Sequence, residues 1–462
     1  MTEPSKEQTT TIVDVEEDLP GYSTSTLRKC LVVFTTSFVT LTACFSSTSL
    51  FSAATDVARD LKTTPEIINA SSAGVLFCMG LSNFLWGPLI PLFGRLYTYN
   101  CCIVALLIWT VAASVAPTLQ TFIVFRILSG FQGTFFHVTG QALLAEYFPP
   151  VKRGTATGFF LCGTVIGPPL GPLIAGIVVT YADWRVILYI QSGMILLGLV
   201  LSLLFLKEGG KAATMKSSSL LEIVLCFSPM KVFRLMKYPN LLLTDLACGL
   251  LAWSQYSLLS SPHQILVSQY NLTSPLISGL FYLSPAFGFL VGTLIGGRLS
   301  DHTVRSWIKQ RAGLRLPQDR LRSGFVSWFL IIPAASLIFG WGVDKQVGGL
   351  ALPIVTAFFS AAGILSAFAG LNTYCAEVMP LNRQEAIASK YLVQYTVSAI
   401  ASGTTIPMID TIGVGLQSTI SVVLVYVAGA LCVITALYGI DMQNWVDKRS
   451  SNMKEVEIMI PT

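Results

Sequence analysis

The stretch R-I-L-S-G-F-Q-G-T-F-F-H-V-T-G-Q, Arg126 to Gln141, sets an arginine inside an apolar run that extends from Thr121 to Leu144. Side chains three and four apart stack on one face of a helix. Arg126, Gly130, Gly133, His137 and Gln141 therefore share a small, polar side, and Ile, Leu, Val and Phe take the other. A charged group in the hydrocarbon layer is costly and by default marks a functional site. The spacing predicts that Arg126 faces a water-filled cavity or a buried partner; the plainer alternative is an interfacial arginine satisfied by neighbouring carbonyls. Further on comes G-T-V-I-G-P-P-L-G-P, Gly163 to Pro172. Its glycines recur every four residues and offer a smooth face for close helix packing. Pro168, Pro169 and Pro172 remove backbone donors and bend the helix.

The surrounding composition belongs to a membrane protein. The 462 residues are 53% hydrophobic and 11% charged, against about 25% charged in soluble domains. The first 26 residues are polar and acidic and hold no apolar core, so no cleavable signal peptide is predicted. The ten cysteines are scattered, mostly within apolar runs, with Cys101 and Cys102 adjacent and no C-x-x-C; they read as small buried residues rather than a metal site or a disulfide framework.

Apolar runs near the length of about 20 residues that spans a bilayer occur near 30–54, 68–93, 99–117, 121–144, 155–180, 184–206, 240–266, 276–299, 323–341, 347–371, 385–409 and 412–439. Twelve spanning helices are predicted, the last two divided only by Asp410-Thr-Ile-Gly413. Lysine and arginine concentrate after helix 4 (Lys152, Arg153) and in 207–237 and 298–322, whereas the opposite loops carry almost none. Positive loops stay cytosolic, which places both termini there too. The organisation expected is a disordered tail (1–27), a six-helix half (28–206), a cytosolic linker (207–238), a second six-helix half (239–441) and a tail (442–462). G-P-L-I-P-L-F-G-R (Gly87 to Arg95) and G-R-L-S-D-H (Gly297 to His302) occupy corresponding places in the two halves, the six-plus-six pattern of many secondary transporters.

These residues resemble the major facilitator superfamily, and within it the twelve-helix drug:proton antiporter group common in fungi, from Leu27 to about Asp441. The family's G-x-L-x-D-R-x-G-R-R pattern is matched at Gly87, Leu89, Gly94 and Arg95, and departs at Pro91, where the family has an aspartate that helps latch the two halves. Asp301 matches the counterpart in the second half. Arg126, Gly130 and Gly133 match the helix 4 pattern. Gly163, Gly167, Pro168 and Gly171 match the helix 5 antiporter pattern, with Pro172 in place of its last glycine. Ser49 to Leu61 and the loop ending L-P-Q-D-R-L-R are similar to fungal exporters. The resemblance implies an all-α polytopic fold, a fungal source, and export by rocker-switch alternating access coupled to protons.

Candidate groups for that chemistry are few. His137 carries the one side chain that ordinarily changes charge near neutral pH. Asp245 sits toward the cytosolic end of helix 7, where pairing with a lysine is favoured over proton carriage. Asp56 and Glu146 read as caps or interface charges. Trp253, Tyr256 and Ser260 share one face of helix 7, and Tyr391, Gln394, Tyr395 and Ser398 one face of helix 11. Thr35, Ser46 and Ser47 on helix 1 and Asn372 and Tyr374 on helix 10 complete the predicted wall. Arg126, His137 and Lys390 would bias the pore positively. Such a wall suits a partly apolar solute of medium size: a drug or toxin, or a small organic acid such as a di- or tricarboxylate, moved by an antiporter or a uniporter. No paired carboxylates, metal-ligand cluster or nucleotide loop is present, and the histidines at 137, 263 and 302 are widely separated, so an enzyme is not expected. No cofactor, metal or nucleic-acid partner is expected; the partners are a small solute, the proton and the bilayer, with a monomer and the plasma membrane as defaults.

Overall fold

The computed structural model describes residues 23–148, 150–207 and 230–459. Most of the predicted tail at 1–27, most of the 207–238 linker and the last three residues lie outside the described residues. Every regular element described is helical. The first half holds α1 (Thr26–Thr48), α2 (Pro65–Trp86), α3 (Arg95–Ser114), α4 in two pieces (Leu119–Gly130 and Gly133–Tyr147), α5 (Pro150–Tyr181) and α6 (Arg185–Phe205). The second holds α7 (Pro239–Ser260, continued by Pro262–Tyr270), α8 (Leu283–Gln310, led by Pro275–Phe281), α9 (Ile332–Asp344, led by the π turn Ser327–Ile331) and α10 (Ala351–Glu377). A final helical run, Arg383–Met459, divides into α11 (383–412) and α12 (414–459).

Local chemistry sets these boundaries. The Ser25 hydroxyl accepts from the Arg28 N–H and caps α1, and proline opens α2 and α7, where a missing N–H costs nothing. Gly413 has φ 82° and ψ 167°, and Gly94, ahead of α3, has φ 88° and ψ 157°. Both conformations belong almost exclusively to glycine. That accounts for the turn glycine of the helix 2–3 motif and for a break of one residue between α11 and α12. Nine helices among the described residues are long and apolar enough to cross a membrane. Twelve spans become nine because α11 and α12 run on, α4 is interrupted at Phe131–Gln132, and α7 is diluted by Asn240, Asp245, Gln255 and its serines.

The pairings repeat between halves. α1 packs on α5, α2 on α4 and α3 on α6; α7 packs on α11, α8 on α10 and α9 on α12. Small residues make the contacts: a Cβ on Gly167 would fall 2.6 Å from Cys44 Cβ, and one on Gly171 2.8 Å from Thr48 Oγ1. Pro172 has no N–H for the Pro168 carbonyl four residues back, and the Thr48 hydroxyl donates to it instead at 2.7 Å. The bend of α5 is thus stabilised by α1. Phe34, Ile108, Leu203, Phe287, Leu294 and Val423 point outward and are exposed, as side chains bathed in lipid would be. The halves meet along α2–α11 and α5–α8.

Candidate functional site

Between the halves lies a cavity of about 800 Å³, within the range of small-molecule sites. His137 and Gln141 of α4 and Leu161, Thr164, Val165 and Pro168 of α5 form one wall. Gln255 and Tyr256 of α7, Leu365, Phe368 and Asn372 of α10, and Ile387, Lys390, Tyr391, Gln394 and Tyr395 of α11 form the other. Its mouth is ringed by Asp301, Arg305, Arg315, Arg320, Glu377 and Arg383, so it opens at the end of the bundle that carries the basic loops. At the opposite end α5 and α8 close together: a Cβ on Gly176 would lie 2.7 Å from Gly279 Cα. Thr55 reaches across the halves to His263 at 3.4 Å, and His263 bonds Ser278 at 3.0 Å.

The blind end is aromatic. The ring centroid of His137 is 5.0 Å from that of Tyr391 and 6.2 Å from that of Tyr395, and Tyr256 stands 6.5 Å from Tyr395. His137 Nδ1 lies 3.2 Å from the Gly133 carbonyl. A carbonyl only accepts, so this nitrogen carries a proton, and Nε2 faces the Cys44 thiol at 3.4 Å. Lys390 donates to Asn372 Oδ1 at 2.8 Å, and its ammonium sits 3.5 Å from the centre of the Tyr391 ring. Pro168 and Pro169 bring no N–H to the carbonyls of Thr164 and Val165, which therefore lose their usual helical donor in the cavity wall.

The mouth is an ionic lattice. Arg320 pairs with Asp301 at 2.6 Å and Glu377 at 3.1 Å, and Arg315 shares Glu377 at 2.9 Å. In the first half Pro91 stands where the second has Asp301 and supplies no carboxylate, and Arg95 pairs with Glu146.

Several predicted residues stand elsewhere. Arg126 is 1% exposed and bonds Ser49 at 3.5 Å and Ser72 at 3.2 Å; its partners are neutral hydroxyls, and it does not line the cavity. It sits eleven positions from His137, roughly 16 Å along a helix, on the far side of the break in α4, and the cavity ends at His137. Gly130 and Gly133 meet Val75 and Met79 of α2. The single polar stripe from Arg126 to Gln141 is therefore split, and Arg126 does not join His137 and Lys390 in one pore. Asp245 is fully buried beside the cavity, not in it; the Ser389 hydroxyl donates to one of its oxygens at 2.5 Å, and the expected lysine partner is replaced by this hydroxyl. Trp253 turns to α12, where its indole donates to Ser421 at 3.1 Å. Thr35, Ser46, Ser47, Ser260, Tyr374 and Ser398 are buried and do not line the cavity. Glu146 and Asp56 do hold interface charges, on Arg95 and Arg59.

Two features escaped the sequence reading. Gln255 is a polar residue inside an apolar run, which is itself a signal, but a stripe drawn from Trp253 to Tyr256 steps over it. Arg305 and Arg315 were counted only as topology signals; α8 runs on to Gln310 and carries Arg305 beneath the cavity.

Comparison with known proteins agrees with this architecture. Solved structures with the same fold include the xylose transporter XylE from E. coli in a partially occluded inward-open conformation, with a TM-score of 0.64 at 14% identity over 89% of this chain and 97% of that one. Another is a bacterial homologue of the human lysosomal transporter Spinster, inward-facing and unoccupied, with a TM-score of 0.63 at 15% identity over 91% and 99%. Among sequences, MFS-type transporter hepF of Aspergillus oryzae is 26% identical over 383 residues, covering 79% of this chain and 78% of that protein. MFS antiporter QDR3 of Candida albicans is 20% identical over an alignment of 526 residues, covering 85% and 75%. The family model described as Major Facilitator Superfamily matches residues 36–403, and with the repeated helix pairings and the cavity between the halves, the chain belongs to the Major Facilitator Superfamily.

Proposed function

We propose that this transporter exports a small organic compound across the plasma membrane in exchange for protons, by rocking its two six-helix halves about the central cavity. The observation that carries the reading is the cavity itself: open at the basic-loop end, which the positive-inside rule assigns to the cytosol together with both termini, and closed at the other by glycine contact between α5 and α8. A site reached from one side only, between two pseudo-symmetric halves, suits alternating access. His137, Gln141, Tyr256, Lys390, Tyr391, Gln394 and Tyr395 are the proposed solute contacts. His137 is the proposed proton carrier in the cavity, and Arg126 and Asp245 are proposed as further candidates for proton coupling, each buried and bonded within its own half. The Candida albicans relative is named an antiporter, which supports exchange.

The test is uptake into inside-out vesicles carrying the protein, with an imposed pH gradient and a panel of neutral, cationic and anionic organic solutes. Gradient-driven accumulation that depends on the protein is expected, with a response to the gradient that is lost in His137→Gln. Accumulation that is indifferent to the gradient would reduce the reading to a uniporter. A second substrate reading, an organic acid, is favoured by Lys390 and is developed next.

A further inference from the structure

Lys390 is 3% exposed and lines the cavity from α11. Its surroundings are electrically incomplete. An ammonium has three donors; one goes to the Asn372 amide oxygen, and the ring of Tyr391 lies against the charge. Among the described residues Lys390 joins no ion pair. A buried charge is normally matched by an opposite one; Asp245 is the acid near Lys390, but it is held by Ser389 outside the cavity, and no carboxylate among the described residues pairs with the ammonium itself.

We infer that the cavity binds an aryl monocarboxylate, its carboxylate on the Lys390 ammonium and its ring among Tyr256, Tyr391 and Tyr395. The inference rests on the exporter reading only for the direction of movement. A single anionic group is inferred because Lys390 is the one lysine or arginine lining the cavity beside the tyrosines. Arg315 and Arg320 of the mouth are already committed to Glu377 and Asp301, so neither is offered to a second carboxylate. An aromatic or apolar body is suggested by the blind end, where the tyrosines stand 6.1 to 6.5 Å apart by ring centroids and Val165, Pro168 and Ile387 add apolar wall beside the polar Gln255 and Gln394. At the mouth Arg305, Arg315, Arg320 and Arg383 outnumber Asp301 and Glu377, and a cleft with such an excess concentrates anions. A di- or tricarboxylate would leave charges facing tyrosine rings, and an amine would meet the ammonium head on.

The experiment is calorimetric titration of the purified full-length protein in detergent with 4-phenylbutyrate, its primary amide, 4-phenylbutylamine and citrate. Charge-assisted bonds to a buried ammonium predict that the acid binds at least about tenfold tighter than the amide, and that the amine and citrate bind no better than the amide. Lys390→Met is expected to erase the preference for the acid while leaving amide binding in place; Lys390→Arg, which keeps the charge and guards against loss of fold, is expected to retain it. Equal binding of acid and amide, tighter binding of the amine or of citrate, an acid preference that survives Lys390→Met, or no binding by any of the four would overturn the proposal. The exporter reading fails separately: 4-phenylbutyrate that binds through Lys390 but is never moved in vesicles keeps the site and removes the transport. Transport of the amide or the amine with the acid excluded does the reverse.

Discussion

Replacing Gly176 by alanine tests the seal at the end of the bundle away from the cavity mouth. The added Cβ would sit 2.7 Å from Gly279 Cα and 2.9 Å from Gly279 N. Carbon atoms prefer to be about 3.5 to 4.0 Å apart, so α5 and α8 have to separate by about 1 Å there. Overpacking of this kind costs about 1 to 3 kcal/mol. The cost falls on the sealed conformation alone, because on the rocking reading these helices part when the other side opens. The ratio of sealed to unsealed molecules should drop about 5- to 150-fold. Amide hydrogen exchange followed by mass spectrometry reads this directly, since exchange tracks the population of open states. Peptides from 49–64 and 262–282 should exchange faster and those from 300–322 more slowly. Gly193→Ala on α6 is the control, because a Cβ there meets nothing within 4 Å. Unchanged exchange in the Gly176 variant, or the same change in both variants, would refute the idea that glycine contact holds the seal.

Further outcomes are expected. Gly413→Ala and Gly413→Asn should destabilise the protein alike, by about 1 to 3 kcal/mol in thermal unfolding, because asparagine tolerates the left-handed helical region but not φ 82° with ψ 167°; a clear rescue by asparagine would count against this account of the α11–α12 break. Glu377→Gln weakens the acceptor shared by Arg315 and Arg320 and should cost roughly 1.5 to 3 kcal/mol, whereas truncating Glu385 on α11, which forms no ion pair among the described residues, should leave the midpoint in place. At the other end of the bundle Arg185 holds the Asp60 carboxyl below its ordinary range, with Trp184 donating to the same oxygen. A carboxylate with a lowered folded-state pKa contributes stability above its unfolded value of about 3.9, and the contribution is lost as pH falls through the folded value. Native protein should therefore exceed Asp60→Asn by at most about 1 kcal/mol at neutral pH, and the gap should close below about pH 4; a gap that persists in acid would remove the ion pair as its cause.

The mouth of the cavity shows how repeated halves can diverge. Arg320 is held between Asp301 and Glu377, whereas Arg95 pairs with Glu146 and the position matching Asp301 is Pro91.

Much of this was legible along the chain. The apolar runs, the glycine spacing of α5 and the basic loops depend on hydropathy, steric bulk and charge, which are properties of local sequence and report themselves without a fold. The turn glycines at 94 and 413 were legible in place, and their backbone angles explain why no other residue serves. What the tertiary structure decided was which polar groups meet. Arg126 and His137 share a helical face on paper, yet a break of two residues at Phe131–Gln132 and roughly 16 Å of helix send one to serines on α1 and α2 and the other to tyrosines on α11. Asp245 and Lys390 are both buried charges near one another, and only packing shows that a serine takes the first and an asparagine the second. Helical periodicity assigns a residue to a face, but the partner on that face comes from another helix, often more than a hundred residues away, and no local pattern carries that information.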